Sequence, residues 1–133
     1  MPIELKILAW GCLLGLVHIF AAIRVKTWQY GRKWNTSARD EALPPPEAIV
    51  GRLARAQANY FETFPIVAVL ILLDHAAGLL DRWTAIGAML WLGARIVYLP
   101  LYALGTPVVR TLAFGVSMAG IILLLLPALG LTF

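Results

Sequence analysis

Two sets of polar residues interrupt otherwise apolar stretches of this chain, at spacings that could do chemistry. Arg52, Arg55, Asn59 and Glu62 follow one another at steps of three, four and three residues, so on a helix all four project from one face. Arg95, Tyr98 and Tyr102 repeat the pattern at steps of three and four. Arg24 closes the first apolar stretch and Arg110 opens the last. Arg, Asn and Glu facing lipid would be costly, so such residues turn toward a bundle interior or a wet cavity and pair with one another.

Arg24, Arg55, Arg95 and Arg110 fall near the same ends of their stretches, with Asn59, Glu62, Tyr98 and Tyr102 deeper. Together they predict an anion-attracting pocket with one buried carboxylate and two phenols. The arginines can take carboxylates bidentately. Glu62 can take an amine, and the tyrosines can donate to a thiolate or a backbone oxygen. Such a pocket suits a small ligand bearing carboxylates and at least one amine. Plainer readings stand beside this one. Arg24 and Arg52 can snorkel to headgroups, Arg55 with Asn59 and Glu62 can form a structural knot between helices, and Tyr98 and Tyr102 can simply pack.

The elements that position these residues follow from composition. The chain has 133 residues, 61% of them hydrophobic and 14% charged, with a mean hydropathy of +0.82. A soluble domain carries roughly 25% charged residues, so this chain lacks a water-facing surface. Its length allows one domain over 1–133. Four segments approach the ~20 apolar residues of a spanning helix: about 7–23, 54–80, 83–104 and 107–131. They predict an all-α, integral membrane four-helix bundle. Lys6 alone precedes the first span and Arg24 and Lys26 follow it, which fits a retained anchor better than a signal peptide.

The net charge is +4, which in a soluble protein would raise nucleic acid as a partner. Seven of the eleven bases lie from Arg24 to Arg55, in and beside the loop over about 25–53, so topology explains them and no nucleic acid is expected. The link between the second and third spans carries only Arg82, beside Asp74 and Asp81. The positive-inside rule therefore places the first and third connections in the cytoplasm and both termini on the opposite side.

Other residues have structural readings. Cys12 reads as helix packing, and a single cysteine excludes a disulfide framework within the chain. His18 reads as a packed or hydrogen-bonded histidine and His75 as solvated. Gly11 and Gly15 form a GxxxG pair that permits close helix contact. Trp83 and Trp91 can mark the interface, and Trp91 can equally pack. Pro44, Pro45 and Pro46 prevent helix and lead into the second span, and Pro100 predicts a kink. No metal site is expected.

The run Arg55-Ala56-Gln57-Ala58-Asn59-Tyr60-Phe61-Glu62-Thr63-Phe64-Pro65 resembles the second-helix signature of the MAPEG family, the membrane-associated proteins in eicosanoid and glutathione metabolism. Arg95-x-x-Tyr98-x-x-x-Tyr102 is similar to that family's third-helix signature, and Arg110 sits where its catalytic arginine is expected. Ala38-Arg39-Asp40-Glu41 looks like bacterial members. The resemblance implies a homotrimer, probed by no residue pattern of its own, with glutathione as co-substrate bound between protomers near the cytoplasmic face. It implies that Arg24, Arg55, Asn59, Glu62, Arg95, Tyr98 and Tyr102 hold glutathione and that Arg110 stabilises its thiolate. A bacterial inner membrane is the expected location.

A thiol titrates near pH ~8.5 and the thiolate is the nucleophile, so a fixed cation beside the sulfur activates it. The expected function is a glutathione-dependent transferase or peroxidase acting on lipophilic electrophiles or hydroperoxides that enter from the lipid. Phe114 stands one turn beyond Arg110, where several active members place a tyrosine. That favours the alternative, a non-catalytic lipid-binding protein of the same fold. A small multidrug exporter would centre on a carboxylate in the first span, and none lies between Glu4 and Arg24.

Overall fold

The computed structural model describes residues 1–131. Among them the chain forms five helices: α1 (Ile3–Tyr30), α2 (Arg32–Thr36), α3 (Ala48–Ala77), α4 (Arg82–Ala103) and α5 (Pro107–Ala128). The four long ones are long and apolar enough to cross a membrane. At about 1.5 Å of rise per residue, even the 22-residue α4 and α5 match the ~30 Å hydrocarbon core. The protein is therefore an all-helical, integral membrane four-helix bundle.

The connections are made from the side chains beside them. The expected loop over 25–53 is shorter in the structure, because α1 runs on to Tyr30, α2 adds one further turn, and α3 starts at Ala48. The last turn of α1 clasps what remains. Gln29 donates to the carbonyl of Pro45 at 3.0 Å and accepts the Glu47 N–H at 2.8 Å, and Tyr30 donates to Pro44 at 3.0 Å. Gln29 thus satisfies a donor at the α3 N-terminus that Glu47 itself does not cap. Asp81 opens α4 with a capping box, accepting the N–H groups of Trp83 and Thr84 while Thr84 Oγ1 accepts the Asp81 N–H. The turn from α4 to α5 passes through Gly105 at φ 71°, a left-handed conformation that glycine adopts without strain.

Aromatic rings fill the centre. Tyr60 stacks on His18 at 4.4 Å and on Phe64 at 5.4 Å, and Phe64 stacks on Trp91 at 5.8 Å. Trp91 is fully buried, so it packs and does not mark the interface. His18 is buried too, its Nδ1 bonded to the Leu14 carbonyl at 2.8 Å, while His75 is exposed.

Small residues decide how closely the helices meet. A Cβ on Gly11 would stand 2.9 Å from Phe64, and one on Gly15 would stand 3.2 Å from Phe61. The GxxxG pair therefore receives α3 within the chain, and the Tyr60 hydroxyl reaches through to donate to the Gly11 carbonyl. Between α4 and α5 the approach is closer still, with a Cβ on Gly87 only 2.7 Å from the Gly120 carbonyl oxygen. Cys12 departs from its expected packing. It points out of the bundle and is exposed, because the packed face of α1 is set by Ile7, Gly11, Gly15, His18 and Ala22.

Candidate functional site

On α3, Arg55, Asn59 and Glu62 occupy successive turns, and on α4 so do Arg95, Tyr98 and Tyr102. α5 begins with Pro107 in its first turn, where the missing N–H costs nothing, and presents Arg110 and then Phe114. Arg55, Asn59, Glu62, Tyr98, Tyr102 and Arg110 line one cavity of about 400 Å³, with Phe114. Ligand pockets commonly hold roughly 300–1,000 Å³. The six are thus brought together at the end of the bundle where α3 and α5 begin and α4 ends.

The arginines are organised by the tyrosines. Arg55 Nε donates to Tyr102 Oη at 3.2 Å. The Arg110 guanidinium lies 4.7 Å from the centre of the same ring, within the ~6 Å reach of a cation–π contact. Tyr98 meets Tyr102 edge-on at 5.5 Å and Phe114 at 6.3 Å. Tyr102 therefore holds two cations at the cavity, one by its hydroxyl and one by its face.

Arg95 departs from its expected place in the cavity mouth. It is fully buried and lies beneath the cavity. Its Nη1 donates to Asn59 Oδ1 at 2.8 Å, and its guanidinium sits 4.3 Å from the Tyr98 ring and 5.4 Å from the Tyr60 ring. Its Nε and Nη2 have no hydrogen-bond partner, so two aromatic faces and one amide oxygen carry a desolvated cation. The bond to Oδ1 also fixes the Asn59 amide and leaves its NH₂ free to donate elsewhere.

Glu62 departs from expectation in the opposite direction. It lines the cavity but is exposed, so it is a rim carboxylate and not a buried one. It shares that cavity with Tyr98 and Tyr102 of α4 and Arg110 of α5, but at its open side. Three guanidiniums thus stand in or under a site that holds one carboxylate, which leaves the site cationic.

Two sequence candidates lie elsewhere. Arg24 lines a separate cavity with Phe20, Trp28 and Arg32, so within one chain it does not meet the other six. Arg52 neither snorkels nor joins the cavity. Its Nη1 donates to the Ala103 carbonyl at 3.3 Å, where it satisfies an open acceptor at the α4 C-terminus and favours the dipole there. It passes close over Gly105, where a Cβ would lie 2.9 Å from the guanidinium carbon. Thr111 and Ala58 line the cavity as well; Ala58 has no polar side chain and the Thr111 hydroxyl donates to the Pro107 carbonyl of its own helix, so neither stands out in the sequence. Their places, one residue from Arg110 and from Asn59, were the available signal. Among the described residues no group of His, Cys, Asp and Glu could hold a metal ion.

Fold and site together define a membrane-spanning helical bundle with a cationic pocket at one end. The model of the MAPEG family matches residues 7–130, nearly the whole chain, and the protein belongs to that family. Membership makes it a membrane protein of glutathione and eicosanoid metabolism. No curated protein is matched by the chain.

Proposed function

We propose that the protein is a membrane-bound glutathione-dependent transferase or peroxidase, and that the cavity over Tyr102 binds glutathione. The observation that supports this most directly is the pair of guanidiniums, Arg55 and Arg110, held on one tyrosine at the edge of a cavity floored by Asn59. Glutathione carries two carboxylates, one amine and one thiol. Arg55 takes a carboxylate, Glu62 takes the amine, and the Asn59 amide and Tyr98 hydroxyl serve the peptide groups. Arg110 lies beside the sulfur and favours its thiolate.

In conjugation the thiol proton leaves for water at the cavity mouth, the sulfur forms a bond to carbon, and the electrophile's leaving group departs with its electron pair. In peroxide reduction the thiolate attacks the distal oxygen, the O–O bond breaks and the alkoxide leaves and is protonated to the alcohol; a second glutathione thiol then displaces the hydroxyl of the sulfenic acid, giving the disulfide and water. A homotrimer fits this reading, because the exposed Glu62 and the open rim leave one side of the site for a neighbouring copy. Arg24 joins the site only from such a neighbour. Cytoplasmic placement of the cavity end, in a bacterial inner membrane, follows from the positive-inside rule and belongs to the same proposal.

Calorimetry of glutathione binding to the detergent-purified protein tests the reading. Saturable binding, weakened by Glu62→Ala, supports it. An absence of binding at millimolar glutathione sinks it and leaves the non-catalytic lipid-binding reading, which Phe114 favours because it supplies no hydroxyl next to Arg110.

A further inference from the structure

We infer that the trough between the last turns of α1, the short helix α2 and the first turn of α3 is a binding site for an anionic phospholipid. The phosphate sits between Arg24 and Arg32, and an acyl chain lies along Phe20, Trp28 and Ile49. This inference does not rest on the glutathione reading, and it excludes one part of it: an Arg24 that holds the lipid phosphate does not enter a neighbour's glutathione site.

The trough is a cavity of about 750 Å³ whose lining mixes apolar side chains with Arg24, Arg32 and Asn35 and includes no carboxylate. The partners of the arginines single it out. Arg39, Arg52, Arg55, Arg82, Arg95 and Arg110 each make a hydrogen bond or stand over a ring. Arg24 and Arg32 do neither among the described residues, and both point into this one space. Two uncompensated guanidiniums above an apolar floor complement an anionic headgroup attached to hydrocarbon, since a guanidinium can take a phosphate through two parallel N–H bonds.

Depth agrees. With 28 residues, α1 is about 42 Å long at ~1.5 Å per residue, which exceeds the ~30 Å hydrocarbon core. Its last turns therefore stand in the headgroup layer. Trp28 is strongly exposed there, and an indole at that level is at home between hydrocarbon and water, while the exposed Phe20 lies about two turns deeper, toward the hydrocarbon. A zwitterionic lipid brings the same phosphate with its own cation, so the two free arginines favour a lipid with net negative charge.

The full chain is reconstituted in phosphatidylcholine vesicles that contain brominated phosphatidylglycerol or, at the same fraction, brominated phosphatidylcholine. The readout is the Trp28 part of the fluorescence, taken as the difference between the wild type and Trp28→Phe. Severalfold stronger quenching by the anionic lipid is expected. Arg32→Gln should abolish that preference, and Arg32→Lys should keep part of it. Arg32 is the chosen site because Arg24 also figures in the glutathione reading. Equal quenching by the two lipids overturns the inference, as does a preference that survives in Arg32→Gln. A Trp28 that neither lipid quenches also overturns it, and means that another copy of the chain covers the trough.

Discussion

Where α3 begins and α4 ends, Arg55, Tyr102 and Arg110 surround a space of about 400 Å³. Where α3 ends and α4 begins, Glu4, Thr84 and Asp81 close on one another. Thr84 Oγ1 donates to Glu4 Oε1 at 2.6 Å and also lies 2.9 Å from the Asp81 carbonyl, and both Glu4 and Thr84 are buried. The bundle thus carries cations at one end and carboxylates at the other, but it treats them differently. The acidic end turns its one hydroxyl inward onto its own acceptors. The cationic end leaves guanidinium donors and an amide unspent around an open volume. Polarity inside a membrane protein therefore identifies a ligand site only when donors or acceptors remain unspent toward a space. On that criterion the chemistry belongs to the cationic end.

The largest effect should come from Arg110. Arg110→Ala should lower the rate of thiol conjugation by on the order of 10²–10³-fold, as loss of one oriented charge-stabilising group does, with the melting temperature nearly unchanged. A loss of stability that matches the loss of rate would break the comparison, because Arg110 would then be a structural cation. Arg95→Met should act on both counts. It removes the donor to Asn59 and should weaken glutathione binding roughly tenfold, about 1.4 kcal/mol. It should also destabilise the fold by about 1–3 kcal/mol through the unpaired amide.

At the acidic end, Thr84→Val should cost a similar ~1–3 kcal/mol in a denaturation assay and leave glutathione affinity unchanged. A change in affinity there would show that the two ends are coupled. The smallest effect should belong to Asp74, which is fully buried with neither carboxylate oxygen bonded. Replacing a buried polar group that lacks a partner is close to neutral or stabilising. Asp74→Leu should therefore leave stability unchanged or raise it by up to ~1 kcal/mol, and a clear loss would mean that Asp74 has a partner in the membrane.

Helix spacing made most of the site legible. The steps of three and four residues put Arg55, Asn59 and Glu62 on one face of α3, and Arg95, Tyr98 and Tyr102 on one face of α4. Periodicity gives direction around a helix but not depth within the bundle. For that reason Arg95 was expected in the mouth and stands below it, and Glu62 was expected inside and stands at the rim. Arg52 shares the periodic face of Arg55 yet serves the end of α4, a role that depends on where another helix stops. The acidic end had a local signal in Asp81-Arg82-Trp83-Thr84, the spacing of a capping box. The third member, Glu4, comes from the far end of the sequence, and only the folded chain brings it there. The GxxxG pair was readable as a contact, but its partner was not. The structure gives it to the rings of α3.

The contact between Gly87 and Gly120 has a mechanical consequence. With no side chain between the two backbones, there is nothing to repack, so α4 and α5 turn as one stiff lever. That lever carries Tyr98, Tyr102, Arg110, Thr111 and Phe114, and α3 carries Arg55, Ala58, Asn59 and Glu62. The cavity is thus a jaw with one half on each part, and it can widen only where they separate. Three hydrogen bonds cross the gap, Arg52 to the Ala103 carbonyl and Arg55 to Tyr102 toward the lip, and Arg95 to Asn59 at the root. Of the three, the Arg55–Tyr102 bond is the exposed one, where water competes most readily.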